Sequence, residues 1–374
     1  MKQDYSIWEY EAYHTHWDIC IIGSGISGLS TGISILERQP DTKILVIDRW
    51  YVPLGASTRN AGFACFGSPS EILDDINSMG ESESLTLVKK RWQGLQKLQT
   101  RINATRSQFE VHGGYELYHS EEFEKIATSL PHLNKLLAEA IGHQQVFTPC
   151  KVPEGIHGFS HAILNPFEAQ LHPGFLMEHL RFMYLNLGGK IWTGLDIELI
   201  EEKNNSVSLI NKLSIPIVAD KVVVTTNAFA KQLLPELDVH GARNHVLVTK
   251  PIQGLSWKGC FHYDKGFYYF RNIGNRILLG GARNQDFKNE ETDQFGVNPL
   301  ILDSLKDFLY SHLTNEKMGE IEYQWSGIIA IGKMKVPIVT AVSARVFVGV
   351  RLSGMGIALS SLIGEELAEM VLQQ

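Results

Sequence analysis

Cysteine is scarce in this 374-residue chain, and Cys20, Cys65, Cys150 and Cys260 lie far apart in sequence. That spacing excludes a zinc ribbon and a CxxC redox pair, and it predicts four reduced thiols in a cytoplasmic protein. No metal site is expected. Long runs of Lys and Arg are also missing, and the formal net charge is −7. A nucleic-acid partner, which needs a basic face, is therefore not expected. The opening residues, MKQDYSIWEYEAYHTHWD, lack the basic-then-apolar plan of a signal peptide. Residues 19–36 carry no charge and approach the length of a membrane span, but glycines and hydroxyl residues interrupt them. No transmembrane segment is expected there. Internal repeats and low-complexity stretches are absent too.

What is present is a globular composition, 44% hydrophobic and 20% charged. The length favours two domains. Asp18-Ile19-Cys20-Ile21-Ile22 reads as a buried parallel strand. It runs into Gly23-Ser24-Gly25-Ile26-Ser27-Gly28, a GxGxxG, and a helix follows from Leu29 to Arg38. A second strand, Lys43 to Ile47, ends at Asp48, twenty positions after Gly28. This is the full context of a dinucleotide-binding turn. Gly23 permits the tight turn, Gly25 lets backbone approach a pyrophosphate, and Gly28 lets the helix pack on the strand. The helix start offers N–H groups and a partial positive charge to the phosphates, and Asp48 can accept from the ribose hydroxyls. The motif alone does not separate NAD from FAD.

Three other stretches carry information. Residues 57–68 are small and uncharged after Arg59, with neither strand alternation nor a helix-compatible interior. Asp220 to Ala230 reads as a strand running into a helix. Near the other end, Val346 to Arg351 is a strand, Leu352-Ser353-Gly354-Met355-Gly356 a second glycine turn, and Ile357 to Leu372 a helix. Further helices are predicted over 69–80, 83–104, 120–141, 172–187 and 297–313. A strand is predicted at Gly114 to Tyr118. The runs at 244–249, 267–281 and 321–331 suggest a large antiparallel sheet.

Taken together, these segments resemble the D-amino-acid oxidase superfamily of FAD enzymes, which includes glycine oxidase, sarcosine oxidase and γ-glutamylputrescine oxidase. The matching pieces are GSGISG with Asp48, GASTRNAGF at 55–63 and VVVTTNAFA at 222–230. FYYFRNIGNRILLGG at 267–281, WSGIIAIGKMKVPIV at 325–339 and SGMGIAL at 353–359 complete the set. GASTRNAGF is most similar to the γ-glutamylputrescine oxidase branch. The resemblance implies an α/β fold: a Rossmann-type FAD-binding domain interleaved with an α+β substrate domain built on a large, mostly antiparallel sheet. Residues 1–80, 165–235 and 336–374 would form the FAD domain, and 81–164 with 236–335 the substrate domain.

The same resemblance implies the cofactor contacts. Gly23, Gly25, Ile26, Ser27, Gly28, Asp48 and Arg49 would hold the ADP half. Ala56, Ser57, Thr58, Arg59, Asn60, Ala61 and Gly62 would run beside the flavin, where a flat ring pressed on backbone needs small residues. Ile197, Thr226, Asn227 and Ala228 would line the same site. Ser353, Gly354, Met355, Gly356, Ile357 and Ala358 would aim a helix start at the flavin N1 and C2 carbonyl, where reduction places negative charge.

For chemistry, the resemblance implies oxidation of the C–N bond of an amine or amino acid by hydride transfer to flavin N5, the imine then hydrolysing. Oxygen or a quinone would be the electron acceptor. Two departures narrow this. Ile329 and Gly354 stand where glycine oxidase has its carboxylate-binding arginines, and Arg351 precedes the turn by three residues. An amine other than a simple amino acid becomes more credible. The last cysteine is Cys260, so no cysteine stands just before the second turn, as it does in sarcosine oxidase, and non-covalent FAD is expected. Alternation along Phe267 to Arg271 puts Tyr268 and Phe270 on one face, Tyr269 and Arg271 on the other. Tyr268, Tyr269, Arg271 and Arg351 are the candidate catalytic or substrate residues. Arg271 either pairs an acidic group or faces solvent. His112, His245 and His262 read as structural histidines, and Lys250 as a surface cation. The alternatives are an NAD(P)-dependent Rossmann enzyme and a flavin-binding module that no longer turns over.

Overall fold

A computed structural model describes residues 6–13, 16–315 and 317–373. Its first sheet is built on the apolar β-branched runs. Trp17–Ile22 lies between Ile44–Asp48 and Ile217–Val224, with Val346–Val350 and Lys190–Thr193 outside them, and neighbours in this group of five are all parallel. Ile338–Ala341 adds an antiparallel edge, and Val207–Asn211 with Ile197–Glu202 branch antiparallel from Ile217–Val224. Cys20 sits level with Leu45 and Val222, so the central strand is covered on both edges.

One face of this sheet is covered by Ile26–Arg38, Gly356–Gln373 and Glu81–Arg101. The helices meet closely because glycines stand at the crossings. A Cβ on Gly94 would lie 1.9 Å from the Ala358 carbonyl oxygen, and one on Gly364 2.6 Å from Ser30 Cβ. The helix Glu81–Arg101, expected in the substrate domain, thus packs onto the cofactor-side layer and braces the start of the last helix. Tyr184 reaches in from the helix Pro173–Asn186 and donates to the Ile44 carbonyl at 3.0 Å.

The second sheet has eight strands, ordered Ile321–Ile331, His240–Thr249, Arg276–Gly281, Tyr268–Ile273, Cys260–Tyr263, Gly114–Tyr118, His161–Asn165 and Thr148–Cys150. All pairs are antiparallel except Cys260–Tyr263 with Gly114–Tyr118. The helix Pro299–Phe308 covers its far face through Ile301, Leu302, Leu305 and Phe308. A ladder of Phe63–Ala64 with Ala169–Gln170 stands apart from both sheets.

Several boundaries differ from expectation. The helix predicted over 120–141 is two, Ser120–Ala127 and Leu130–Ile141, because Pro131 has no N–H to offer the carbonyl four residues back, at Ala127, and its ring crowds that carbonyl, whereas the first turn of a new helix accepts a proline. The helix at 297–313 is α-helical only to Phe308. It then widens into a π-type turn, Leu309–Leu313, closed by the Thr314 N–H on the Leu309 carbonyl. Inside the small-residue stretch a one-turn helix, Ala56–Arg59, forms, and the helix after Val224 is a 3₁₀ turn, Asn227–Gln232. Among the described residues no helix is long and apolar enough to cross a membrane.

Candidate active site

At the end of the central strand, Gly23 takes a φ of +107°, and Gly28 passes so close that a Cβ there would stand 1.9 Å from the Gly23 carbonyl oxygen. The Thr225 hydroxyl donates to the Ile22 and Gly23 carbonyls at 3.0 and 3.1 Å, locking the turn to the neighbouring strand. A Cβ on Gly25 would lie 2.8 Å from Ser57 Oγ. That oxygen accepts from the Ile26 N–H at 3.0 Å, so one expected phosphate donor is already engaged. Asp48 is buried. Its Oδ2 accepts from the Ser24 N–H at 3.0 Å and the Ser24 hydroxyl at 2.6 Å, and its Oδ1 from the Trp50 N–H at 3.1 Å. The carboxylate therefore braces the glycine turn besides facing the cavity.

The small-residue stretch is held by its own polar groups. Thr58 donates to the Pro53 carbonyl at 2.6 Å, and Asn60 donates to the Ala56 and Ser57 carbonyls while accepting from the Gly62 N–H. Arg59 Nη1 donates to the Ser326 carbonyl at 2.9 Å, and the Trp325 indole returns a bond to the Arg59 carbonyl at 2.9 Å. Arg271 clamps the loop from behind. Its guanidinium donates to the Ala61, Asn272 and Leu171 carbonyls. It is 5% exposed, so the expectation of an acidic partner or a solvent-facing arginine is corrected.

At the second turn, Arg351, Ser353 and Gly354 take φ values of +64°, +47° and +82°. Arg351 points away from the site. It bonds the Asp238 carboxylate at 2.7 Å, the Asp238 carbonyl at 3.0 Å and the Val336 carbonyl at 3.0 Å, so its expected substrate role is corrected to an anchor of the turn. Asn227 Oδ1 accepts from the Arg351 N–H at 3.1 Å, tying the 222–230 segment to this turn. The Met355 N–H is spent on the Leu352 carbonyl at 2.8 Å. Among the described residues the N–H groups of Gly356, Ile357 and Ala358 have no protein acceptor, as a free helix start requires.

Both turns line one cavity of about 430 Å³. Gly23, Gly25, Ile26, Ser27, Asp48, Arg49 and Ile197 stand along it, then Ala56, Ser57, Arg59, Asn60 and Ala61, then Thr226, Asn227 and Ala228, then Ser353 to Ile357. Gly28, Thr58, Gly62 and Ala358 lie behind the wall, where they hold backbone in place. The Thr226 hydroxyl is buried without a partner. Missing Cβ atoms, free N–H groups at two helix starts and an orphaned hydroxyl, all facing one space, fit an extended cofactor with phosphates at one end and an electron-accepting ring at the other.

The second sheet closes the far end. His262 pairs across to Tyr269, Tyr269 to Gly280, and Gly280 to Val246, so these residues share a row and a face. His262, Tyr269 and Val246 line the cavity. Phe63 packs edge-on against both rings, 5.4 Å from His262 and 5.7 Å from Tyr269. Burial pushes the Tyr269 phenol up to about 12, so it remains a neutral donor. Tyr268 points the other way and stacks on Phe308 at 4.7 Å, inside the apolar core. Its candidacy as a substrate contact is corrected.

His262 is not merely structural, because it reaches the cavity with a buried carboxylate behind it. Nε2 lies 3.2 Å from Glu168 Oε2, and Asn165 donates to Glu168 Oε1 at 3.3 Å. Cys65 joins them, the three ligand-type atoms lying within 4.8 Å of one another. Burial pushes the Cys65 thiol well above its usual value, which makes it a poor nucleophile. Burial opposes a charged His262, yet the Glu168 carboxylate outweighs it and moves the pKa up to about 9. A raised folded value means the stabilisation is complete below the ordinary 6.5 and is lost as pH rises through about 9. The melting temperature of the wild type should fall across that window more than that of His262→Gln. Parallel slopes would remove the His262–Glu168 pair from the explanation.

Of the other residues read from sequence, His245 accepts from the Asn298 N–H at 3.0 Å, His112 lies 3.4 Å from Glu110, and Lys250 pairs with Glu320 at 2.6 Å. Glu168, Phe63 and Arg283 were missed. Phe63 and Glu168 meet His262 only across a long stretch of chain, and no local pattern in the sequence shows that Arg283 turns into the cavity.

The comparisons agree with this geometry. A probable oxidoreductase of Haemophilus influenzae, OrdL, is 24% identical over 378 residues, covering 96% of this chain and 83% of that one. The γ-glutamylputrescine oxidoreductase of Escherichia coli is 22% identical over 371 residues, covering 95% and 83%. Among solved structures, glycine oxidase from Geobacillus kaustophilus superposes with a TM-score of 0.78 at 18% identity over 96% of both chains, a likeness of fold. The match to the FAD dependent oxidoreductase family spans residues 18–370, from before the first glycine turn to beyond the second, and the chain belongs to that family.

Proposed function

We propose that this FAD-dependent oxidoreductase oxidises the carbon–nitrogen bond of a small amine or amino acid. The observation that carries the reading is the single cavity: glycine turns more than three hundred residues apart line it, and the polar row of the second sheet closes it. FAD, when bound there, supplies an acceptor for the hydride leaving the carbon next to nitrogen. The chain supplies position and electrostatics. Free N–H groups of Gly356 and Ile357 offer fixed dipoles where negative charge develops, which is the term that most often dominates catalysis. Tyr269 offers a neutral hydroxyl, and Phe63 walls the substrate space against water. Ile329 and Gly354 both line the cavity without a charge, which favours an amine over a simple α-amino acid. Relatives named for γ-glutamylputrescine and glycine oxidation support an amine or amino acid as substrate class. The suppressed nucleophilicity of Cys65 supports non-covalent FAD, with oxygen or a quinone as the final acceptor.

Anaerobic titration of the yellow holoprotein with a panel of primary amines, secondary amines and amino acids tests this. At least one class should bleach the flavin stoichiometrically. If none does while dithionite still reduces it, the binding-module alternative replaces amine oxidation.

A further inference from the structure

Several arginines stand in the cavity wall, and Arg49 and Arg59 are each held there by a hydrogen bond to a neutral oxygen, whereas Arg283 is not. It lines the same space as Tyr269. Among the described residues its guanidinium makes no hydrogen bond or ion pair, and it lies 4.9 Å over the Phe287 ring. Glu290 and, more weakly, Glu291 act on it only through space, and the Glu290 carboxylate already takes two bonds from Arg243 at 2.9 Å and one from Asn298 at 2.7 Å. Partial burial disfavours the charge, yet a guanidinium stays protonated. The fold also builds the position. Gly281 and Ala282 take φ values of +116° and +56°, a strained pair that turns the chain out of its strand just before Arg283. Gly280 lacks a side chain where a Cβ would stand 2.8 Å from the Tyr269 hydroxyl, so the phenol lies across that strand end.

We infer that Arg283, with the Tyr269 hydroxyl beside it, anchors a carboxylate of the substrate that is remote from the reacting nitrogen. The substrate class is then an amine bearing a distal acid group. The acid bound there is distinct from an α-carboxylate, because Arg283 stands apart from Ile329, the position where the resemblance places a glycine-oxidase carboxylate arginine. Arg283 leaves the strand Arg276–Gly281, whereas Ile329 sits two strands away on Ile321–Ile331. Two strand spacings separate those positions by roughly 10 Å. A guanidinium fork matches a carboxylate bidentately, and partial exclusion of water strengthens the pair. The inference rests on the amine-oxidation reading for its reacting nitrogen, but the anchor is testable without turnover.

Two measurements on the holoprotein separate the ideas. Glutarate, a carboxylate with no C–N bond to oxidise, is titrated by calorimetry into wild type, R283Q and R283K. Wild type should bind it, R283Q should bind about 10- to 100-fold more weakly, and R283K should fall between, since lysine keeps charge but loses the fork. Equal binding by wild type and R283Q, or no binding by wild type, overturns the anchor. Anaerobic bleaching is then compared for 6-aminohexanoate and hexylamine. The preference for the acid-bearing amine should collapse in R283Q by the same factor, and an unaltered preference overturns the specificity assignment. Loss of glutarate binding in R283Q, with no member of the amine and amino-acid panel bleaching a flavin that dithionite still reduces, would sink amine oxidation and leave the anchor standing.

Discussion

Gly25→Val protein should purify colourless. Gly25 has a φ of −70°, which any residue adopts, so the defect is steric rather than conformational. Its new Cβ would sit 2.8 Å from Ser57 Oγ, and that oxygen is fixed by the Ile26 N–H. Relieving the overlap means moving the helix start away from the loop, and the branched methyls would still fill the approach to the phosphates. Overpacking of this kind predicts FAD binding at least about 100-fold weaker, or about 3 kcal/mol. Bound flavin per protein, read from visible absorbance after desalting, checks it. A yellow mutant with full occupancy would detach the first glycine turn from the cofactor.

Arg271→Leu should unfold much more readily and lose flavin as it does so. Arg271 satisfies three backbone carbonyls from inside the protein, and two of them, Ala61 and Leu171, flank the short ladder of Phe63–Ala64 with Ala169–Gln170. The Leu171 N–H bonds the Gly62 carbonyl at 2.9 Å in the same knot, and a Cβ on Gly62 would lie 2.6 Å from Arg271 Nη2. Leucine fills much of the space but leaves buried acceptors unmet. The expected loss is about 3 to 5 kcal/mol, among the largest for one substitution. Urea unfolding followed by tryptophan and flavin fluorescence measures both effects. A midpoint within error of wild type would mean that water replaces the guanidinium and that the clamp is dispensable.

Much of the cofactor half was legible because its signals are local. Strand, glycine turn, helix, strand and acid follow one another within 18–48, and each glycine answers a contact within that unit or its immediate neighbour. Alternation along 267–271 separated Tyr268 and Phe270 from Tyr269 and Arg271, as the structure shows, but alternation does not say which face meets the cavity. Arg271 was misread because its partners are carbonyls 100 and 210 positions away, and a carbonyl leaves no trace in residue identity. His262 was underrated for the same reason. Glu168, which makes it a cation at the wall, is 94 positions distant. The buried charges of the substrate side are assembled largely from such long-range encounters.

Asn227 joins the two halves of the cradle, since its side chain accepts from the backbone of the turn that begins at Arg351. Val346–Val350 must also slot beside Ile217–Val224 before that turn exists. A ribosome that has not yet translated Gly354 therefore carries a nascent chain with its nucleotide pocket half walled. A flavin gripped from both sides therefore requires that synthesis has passed this point.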